Sequence, residues 1–113
     1  MNLAFLASHR GSNMQSIIDA CKSGALAANP VVVISNNADS GALSRAREEG
    51  IPAHHLSSLA IPDEDELDKR ITDTLLECNT DLVVLAGYMK RIGKRPLAAF
   101  PGKIINIHPC LLP

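Results

Sequence analysis

Five apolar runs alternate with four amphipathic stretches along this chain. The runs occupy residues 3–7, 31–35, 53–56, 82–86 and 103–107. Most are rich in Val, Ile and Leu and apolar on both faces, the pattern of strands in a parallel sheet covered from two sides. The third, "AHHL", fits that pattern least. The stretch "SNMQSIIDACKSG" sets Met14, Ile17, Ile18 and Cys21 on one face of a helix. Ser12 and Gln15 stand at capping-box spacing, and Gly24 suits the far end. A second helix is expected over residues 41–49, with Ser40 as its cap and Gly50 after it.

The third helix is expected to start near Pro62. Asp63, Glu64, Asp65 and Glu66 load its first turn with negative charge, which the helix dipole favours. The acidic run therefore reads as a helix start rather than a binding patch. Leu67, Ile71 and Leu75 form the buried stripe, and Asp65 with Lys69 and Glu66 with Arg70 have ion-pair spacing. A short fourth helix fits residues 93–100. The order βαβαβαβαβ, with no linker or repeat, predicts one α/β domain over residues 1–113. Its parallel sheet carries helices on both faces, with right-handed crossovers. Ligands of such sheets sit at the carboxyl ends of the strands, where strand order reverses.

Composition narrows the function classes. With 46% apolar and 20% charged residues, the 113-residue chain can build a real core. A net charge of −1 and 3% aromatics give no basic surface or stacking platform for nucleic acid. Three widely spaced cysteines, Cys21, Cys78 and Cys110, suit reduced thiols in a cytoplasmic protein. The apolar start lacks the basic flank of a signal peptide, and no run approaches a membrane span.

Three loops follow strands and so share the ligand rim. The first is "SHRGSN", residues 8–13. A glycine beside a helix N-terminus lets backbone N–H groups close around an anion. An ordinary strand-to-helix turn with a Ser cap explains the same residues. The second is "AGYMKRIGKR", residues 86–95, where Lys90, Arg91, Lys94 and Arg95 cluster. That cluster is either a solvated helix start or a site for a carboxylate-bearing ligand. The third lies in "NIHPCLLP", residues 106–113. Residues two apart on a strand share a face, so Asn106 and His108 should project together, away from Ile105 and Ile107. Pro109 biases His108 towards extended backbone. An amide donor beside an imidazole suits acyl-type transfer: one steadies an oxyanion and the other moves a proton. Cys110 neighbours His108, but no third orienting group supports a nucleophilic pair. The adjacent His54 and His55 lack metal-ligand spacing, and no His, Cys and carboxylate cluster suggests a metal.

The sequence "GSN" after the first strand, "AGYMKRI" after the fourth and "NIHPCLLP" after the fifth, colinear along the whole chain, resembles the phosphoribosylglycinamide formyltransferases of purine biosynthesis. Asn106, His108 and "LLP" are shared by the wider group of folate-dependent formyl-transfer enzymes, and "GSN" narrows the likeness. The resemblance implies a cytoplasmic enzyme of Rossmann-like fold. It would move a formyl group from formyl-tetrahydrofolate to the amine of glycinamide ribonucleotide, without metal or covalent intermediate. It further implies that Gly11, Ser12 and Asn13 bind the ribonucleotide phosphate. Met89, Lys90, Arg91, Ile92 and Asn106 would meet the folate, and Asn106 and His108 would carry the chemistry. Nucleic acid and membrane are not implied as partners. The chain departs from the family at His9, usually Gly, at Cys110, usually Ser, and at Glu64, where relatives carry a basic folate contact.

Members of the family continue for about as many residues again, with a catalytic Asp and further strands. The chain is therefore expected to be an amino-terminal half, incomplete at its C-terminal end after the fifth strand. It should be inactive alone and self-associate through an exposed sheet edge. A formyl-tetrahydrofolate hydrolase and a non-catalytic phosphate-binding domain are the alternatives. The "GSN" loop argues against the hydrolase.

Overall fold

The computed structural model describes residues 1–107. Its elements are β1 (Asn2–Leu6), α1 (Ser12–Ser23), β2 (Asn29–Ser35), α2 (Gly41–Glu48), β3 (Ala53–His55), α3 (Glu64–Glu77), β4 (Leu82–Ala86), α4 (Lys94–Ala99) and β5 (Ile104–Ile107). The strands form one parallel sheet in the order β3-β2-β1-β4-β5. The expected α/β architecture holds, with a core on each side of the sheet. Leu3, Phe5, Val33 and Val84 pack against Met14, Ile18, Leu43 and Ala46 of α1 and α2. Ala4, Leu6, Val32, Ile34 and Val83 pack against Leu67, Ile71 and Leu75 of α3 and against Phe100 after α4. Strand side chains alternate between faces, so a strand with both faces covered must be apolar throughout. Phe5, Leu6, Ile34, Leu43 and Leu75 are fully enclosed, and each such side chain contributes about 1.5–3 kcal/mol relative to exposure.

Strand limits move with pairing. β2 begins two residues before its apolar run, because Asn29 donates its N–H to the Met1 carbonyl at 2.8 Å and pairs in register with Asn2. A register shift lies between Leu3 and Ala4. β3 keeps only three residues.

Helix starts correct two expectations. Ser40 caps α2 by accepting the Leu43 N–H at 3.2 Å, but the capping box of Ser12 and Gln15 does not form. Gly11, at φ +76°, is the N-terminal boundary of α1, and no side chain among the described residues caps it. Ser12 is already helical, and the Gln15 side chain donates to Asp19 and Glu49 instead. The third helix starts at Glu64, two residues after Pro62. Asp63 caps it by accepting the N–H groups of Asp65 and Glu66. Neither expected ion pair on α3 forms. Asp65 instead accepts from the Arg95 guanidinium, Nε at 3.1 Å and Nη2 at 2.9 Å. The two-pronged geometry of that contact favours the guanidinium over an ammonium one turn away. Among the described residues, no helix is long and apolar enough to cross a membrane.

Candidate functional site

Strand order reverses between β1 and β4, and the loops leaving those strands frame the carboxyl rim. The loop after β1 is docked on α2. Its His9 carbonyl accepts the Ala42 N–H at 3.0 Å, and its Arg10 carbonyl accepts Nε of Arg45 at 2.7 Å. Gly11 fits against α2 only because it has no side chain: a Cβ there would lie 2.9 Å from the Ala42 Cα. With those carbonyls engaged, and with no side chain among the described residues capping α1, the first-turn N–H groups of α1 are placed to meet an outside acceptor. The start of α1 borders a cleft of about 560 Å³. It is lined by residues 9–13, by Asn37, Asp39 and Gly41 around the start of α2, and by Ala86 and Gly87 at the end of β4. Gly11, Ser12 and Asn13, the residues expected to bind phosphate, all line this cleft.

The loop after β4 borders a second cleft, of about 440 Å³, between itself and α3. Leu67, Ile71, Tyr88 and Ile92 supply apolar lining, and Lys90, Arg91, Glu64 and Asp65 supply charged lining. Met89 does not line this cleft; it is 71% exposed. The loop is anchored from α3. Asp68 accepts the Arg95 N–H at 2.9 Å, and a side chain at Gly93 would run into the Asp68 carboxylate. The Arg95 guanidinium holds the Asp65 carboxyl below the usual range, through its hydrogen bonds first and its charge second. Burial, helped by the nearby Asp68 charge, pushes the Tyr88 phenol above its ordinary value.

On β5, Asn106 pairs in register with Leu85 and Ile107 with Ala86. Ile107 packs into the α1 and α2 core and Ile104 into the α3 core, so alternation puts Asn106 on the face of Ile104. Ile105 is exposed. Asn106 is exposed and lines neither cleft. His108 and Cys110 lie outside the described residues. Among the described residues, no group of His, Cys, Asp or Glu could hold a metal ion. The imidazole of His55 is occupied locally, 2.9 Å from the Ser57 hydroxyl.

Ser8 escaped the sequence reading as an individual. It is buried, and its hydroxyl joins Asn36 after β2 to Met89 after β4. The available signal was a hydroxyl placed directly behind an apolar strand that has no polar outer face.

Comparison with known proteins bears on the same loops. Residues 1–113 match the model of the formyl transferase family. A phosphoribosylglycinamide formyltransferase of Haemophilus influenzae is 45% identical over 111 residues, 98% of this chain and 52% of the relative. That of Escherichia coli is 39% identical over 113 residues, 100% of this chain and 53% of the relative. The crystal structure of glycinamide ribonucleotide transformylase 1 from Symbiobacterium toebii superposes with a TM-score of 0.91 at 41% identity, covering 100% of this chain and 53% of that one. The chain spans about half the length of the curated relatives it matches. The family match over residues 1–113 places the chain in the formyl transferase family.

Proposed function

We propose that this chain serves the transfer of a formyl group from formyl-tetrahydrofolate to the amine of glycinamide ribonucleotide. One observation carries the reading: the relatives matching nearly all of the chain at 39–45% identity are phosphoribosylglycinamide formyltransferases. The cleft beside α1 supports it independently of their names. In this reading the N–H groups of Gly11, Ser12 and Asn13 bind the ribonucleotide phosphate at the positive end of α1. Lys90, Arg91 and Ile92, with Met89 at the edge, receive the folate. The substrate amine attacks the formyl carbon and gives a tetrahedral oxyanion. The Asn106 amide donates a hydrogen bond to that oxygen, and His108 moves the proton between attacking amine and leaving nitrogen. The first loop argues against a hydrolase, which has no phosphorylated acceptor to hold.

The test has two parts. Titration with glycinamide ribonucleotide should shift the backbone amides of Gly11, Ser12 and Asn13, and Gly11→Val should abolish the shifts. A formyl-transfer assay on the full-length enzyme separates catalysis from a domain that only binds phosphate. Shifts confined to another surface would remove the assignment.

A further inference from the structure

We propose that Ser8 is a positioning residue whose buried hydroxyl holds the loop after β4 in register with the loop after β1, and so fixes the distance between the two clefts. The inference deepens the formyl-transfer reading and rests on it for the identity of those clefts.

Ser8 stands just beyond β1 and is only 3% exposed. A buried hydroxyl is costly unless it is hydrogen-bonded, and it offers one donor and two lone pairs. Ser8 uses both kinds. Its hydroxyl donates to Oδ1 of Asn36 at 2.7 Å and accepts the Met89 N–H at 2.8 Å. Its own N–H donates to the Gly87 carbonyl at 3.3 Å. One residue thereby joins the ends of β2, β1 and β4 where the strand ladders have stopped.

The position matters because of what lies on either side. The next residues, His9 and Arg10, are tied by their carbonyls to α2 and shape the cleft at α1. Two residues after Gly87, the Met89 N–H is bonded back to Ser8, between Tyr88 and Lys90, which both line the second cleft. The far end of that loop is held separately, by Asp68 on Arg95. Ser8 is therefore the near anchor of a segment anchored at both ends. An alanine would satisfy core packing at this depth. It would leave the Met89 N–H and the Asn36 carbonyl oxygen without these partners.

Amide hydrogen exchange on the full chain tests the anchor without any ligand. Ser8→Ala should speed exchange at Met89 by roughly 5–20-fold, the scale of one lost hydrogen bond. Exchange at Phe5 and Ile34 in the sheet should stay as in the wild type, and Ser8→Thr should restore protection. Asn36→Ala removes only the second bond and should move Met89 less than Ser8→Ala does. Titration with inorganic phosphate then reads the connection. In the wild type both Ser12 and Met89 should shift; in Ser8→Ala, Ser12 should still shift and Met89 should not. Unchanged exchange at Met89, or equal acceleration at Phe5 and Ile34, would overturn the proposal and leave Ser8 a plain packing residue. A wild type in which phosphate fails to shift Ser12 would count against the functional reading, and the exchange arm would still judge Ser8.

Discussion

Gly11→Ala and Gly24→Ala form a matched pair that isolates how firmly the first loop is seated on α2. Both glycines are left-handed, at φ +76° and +82°. An L-residue in that conformation costs about 1–2 kcal/mol. Their surroundings differ. Around Gly24 a Cβ meets nothing within 4 Å, whereas at Gly11 it lies 2.9 Å from Cα and 3.0 Å from Cβ of Ala42, and 3.2 Å from Cε of Met14. Met14 could move its chain end aside, but Ala42 cannot. Its backbone is fixed by the His9 carbonyl on one side of it and by the Ser40 cap on the other. Overpacking of that kind typically adds about 1–3 kcal/mol. Gly24→Ala should therefore cost about 1–2 kcal/mol, partly offset by the stiffer unfolded chain, and Gly11→Ala about 2–5 kcal/mol. Against a domain stability of about 5–15 kcal/mol, the second is a large fraction. Urea unfolding at constant m-value gives the difference directly. A phosphate titration on the same samples should show weakened binding in Gly11→Ala alone. Equal destabilisation by the two substitutions would mean that the loop does not press on α2. Unaltered phosphate affinity in Gly11→Ala would separate the loop's geometry from binding.

Other expectations follow from the same geometry. In a full-length enzyme, Asn106→Ala should lower kcat by roughly 10²–10³ with little change in substrate affinity, the usual cost of one oxyanion donor; steady-state kinetics with separate binding measurements checks it. Because the folded-state pKa of Asp65 is lowered by Arg95, its support is present above the ordinary carboxylate range and is lost as pH falls through it. Urea midpoints of the wild type and Asp65→Asn should therefore converge on acidification. Tyr88 has the opposite sign: its raised pKa gives stability that is present below the ordinary tyrosine range and lost as pH rises through and beyond it. Tyr88→Phe should flatten the alkaline decline in urea midpoint. Finally, β5 pairs only with β4 among the described residues, and Ile105 is 43% exposed. Light scattering on the 113-residue chain should show self-association that Ile105→Lys reduces; a monomer at high concentration in both would remove the expected edge contact.

Most of the fold was legible because its signals are local. A strand covered on both sides has to be apolar at every position, so the runs around Phe5, Val33 and Val84 announced a parallel sheet. The helical period placed Leu67, Ile71 and Leu75 correctly, since a buried stripe repeats within one element. What failed depended on a partner far along the chain. Asp65 was matched to Lys69 one turn away, whereas its partner, Arg95, is thirty positions on. Ser12 and Gln15 had capping spacing, but Gly11 turns left-handed to fit over Ala42, and that turn makes Ser12 part of the helix.

The same division explains how far the candidate site could be read. Each rim loop carried its own chemistry in sequence: a glycine before a helix, a cluster of cations, an amide on a strand of alternating faces. A parallel sheet collects such loops at one edge whatever their residues, so their neighbourhood followed from topology. Their spacing did not. It depends on the bonds that cross between loops, and these are made by Ser8 to Asn36 and Met89 and by Asp68 to Arg95. None of the three side chains involved, Ser8, Asn36 and Asp68, belongs to the set of site residues that the sequence singled out. The proposed reaction joins two substrates held on different loops, and near-attack geometry tolerates little misplacement. The residues that set the distance between clefts should therefore matter for rate nearly as much as those that touch the substrates, although their own sequence context marks them only as a serine behind a strand and an acid on a helix.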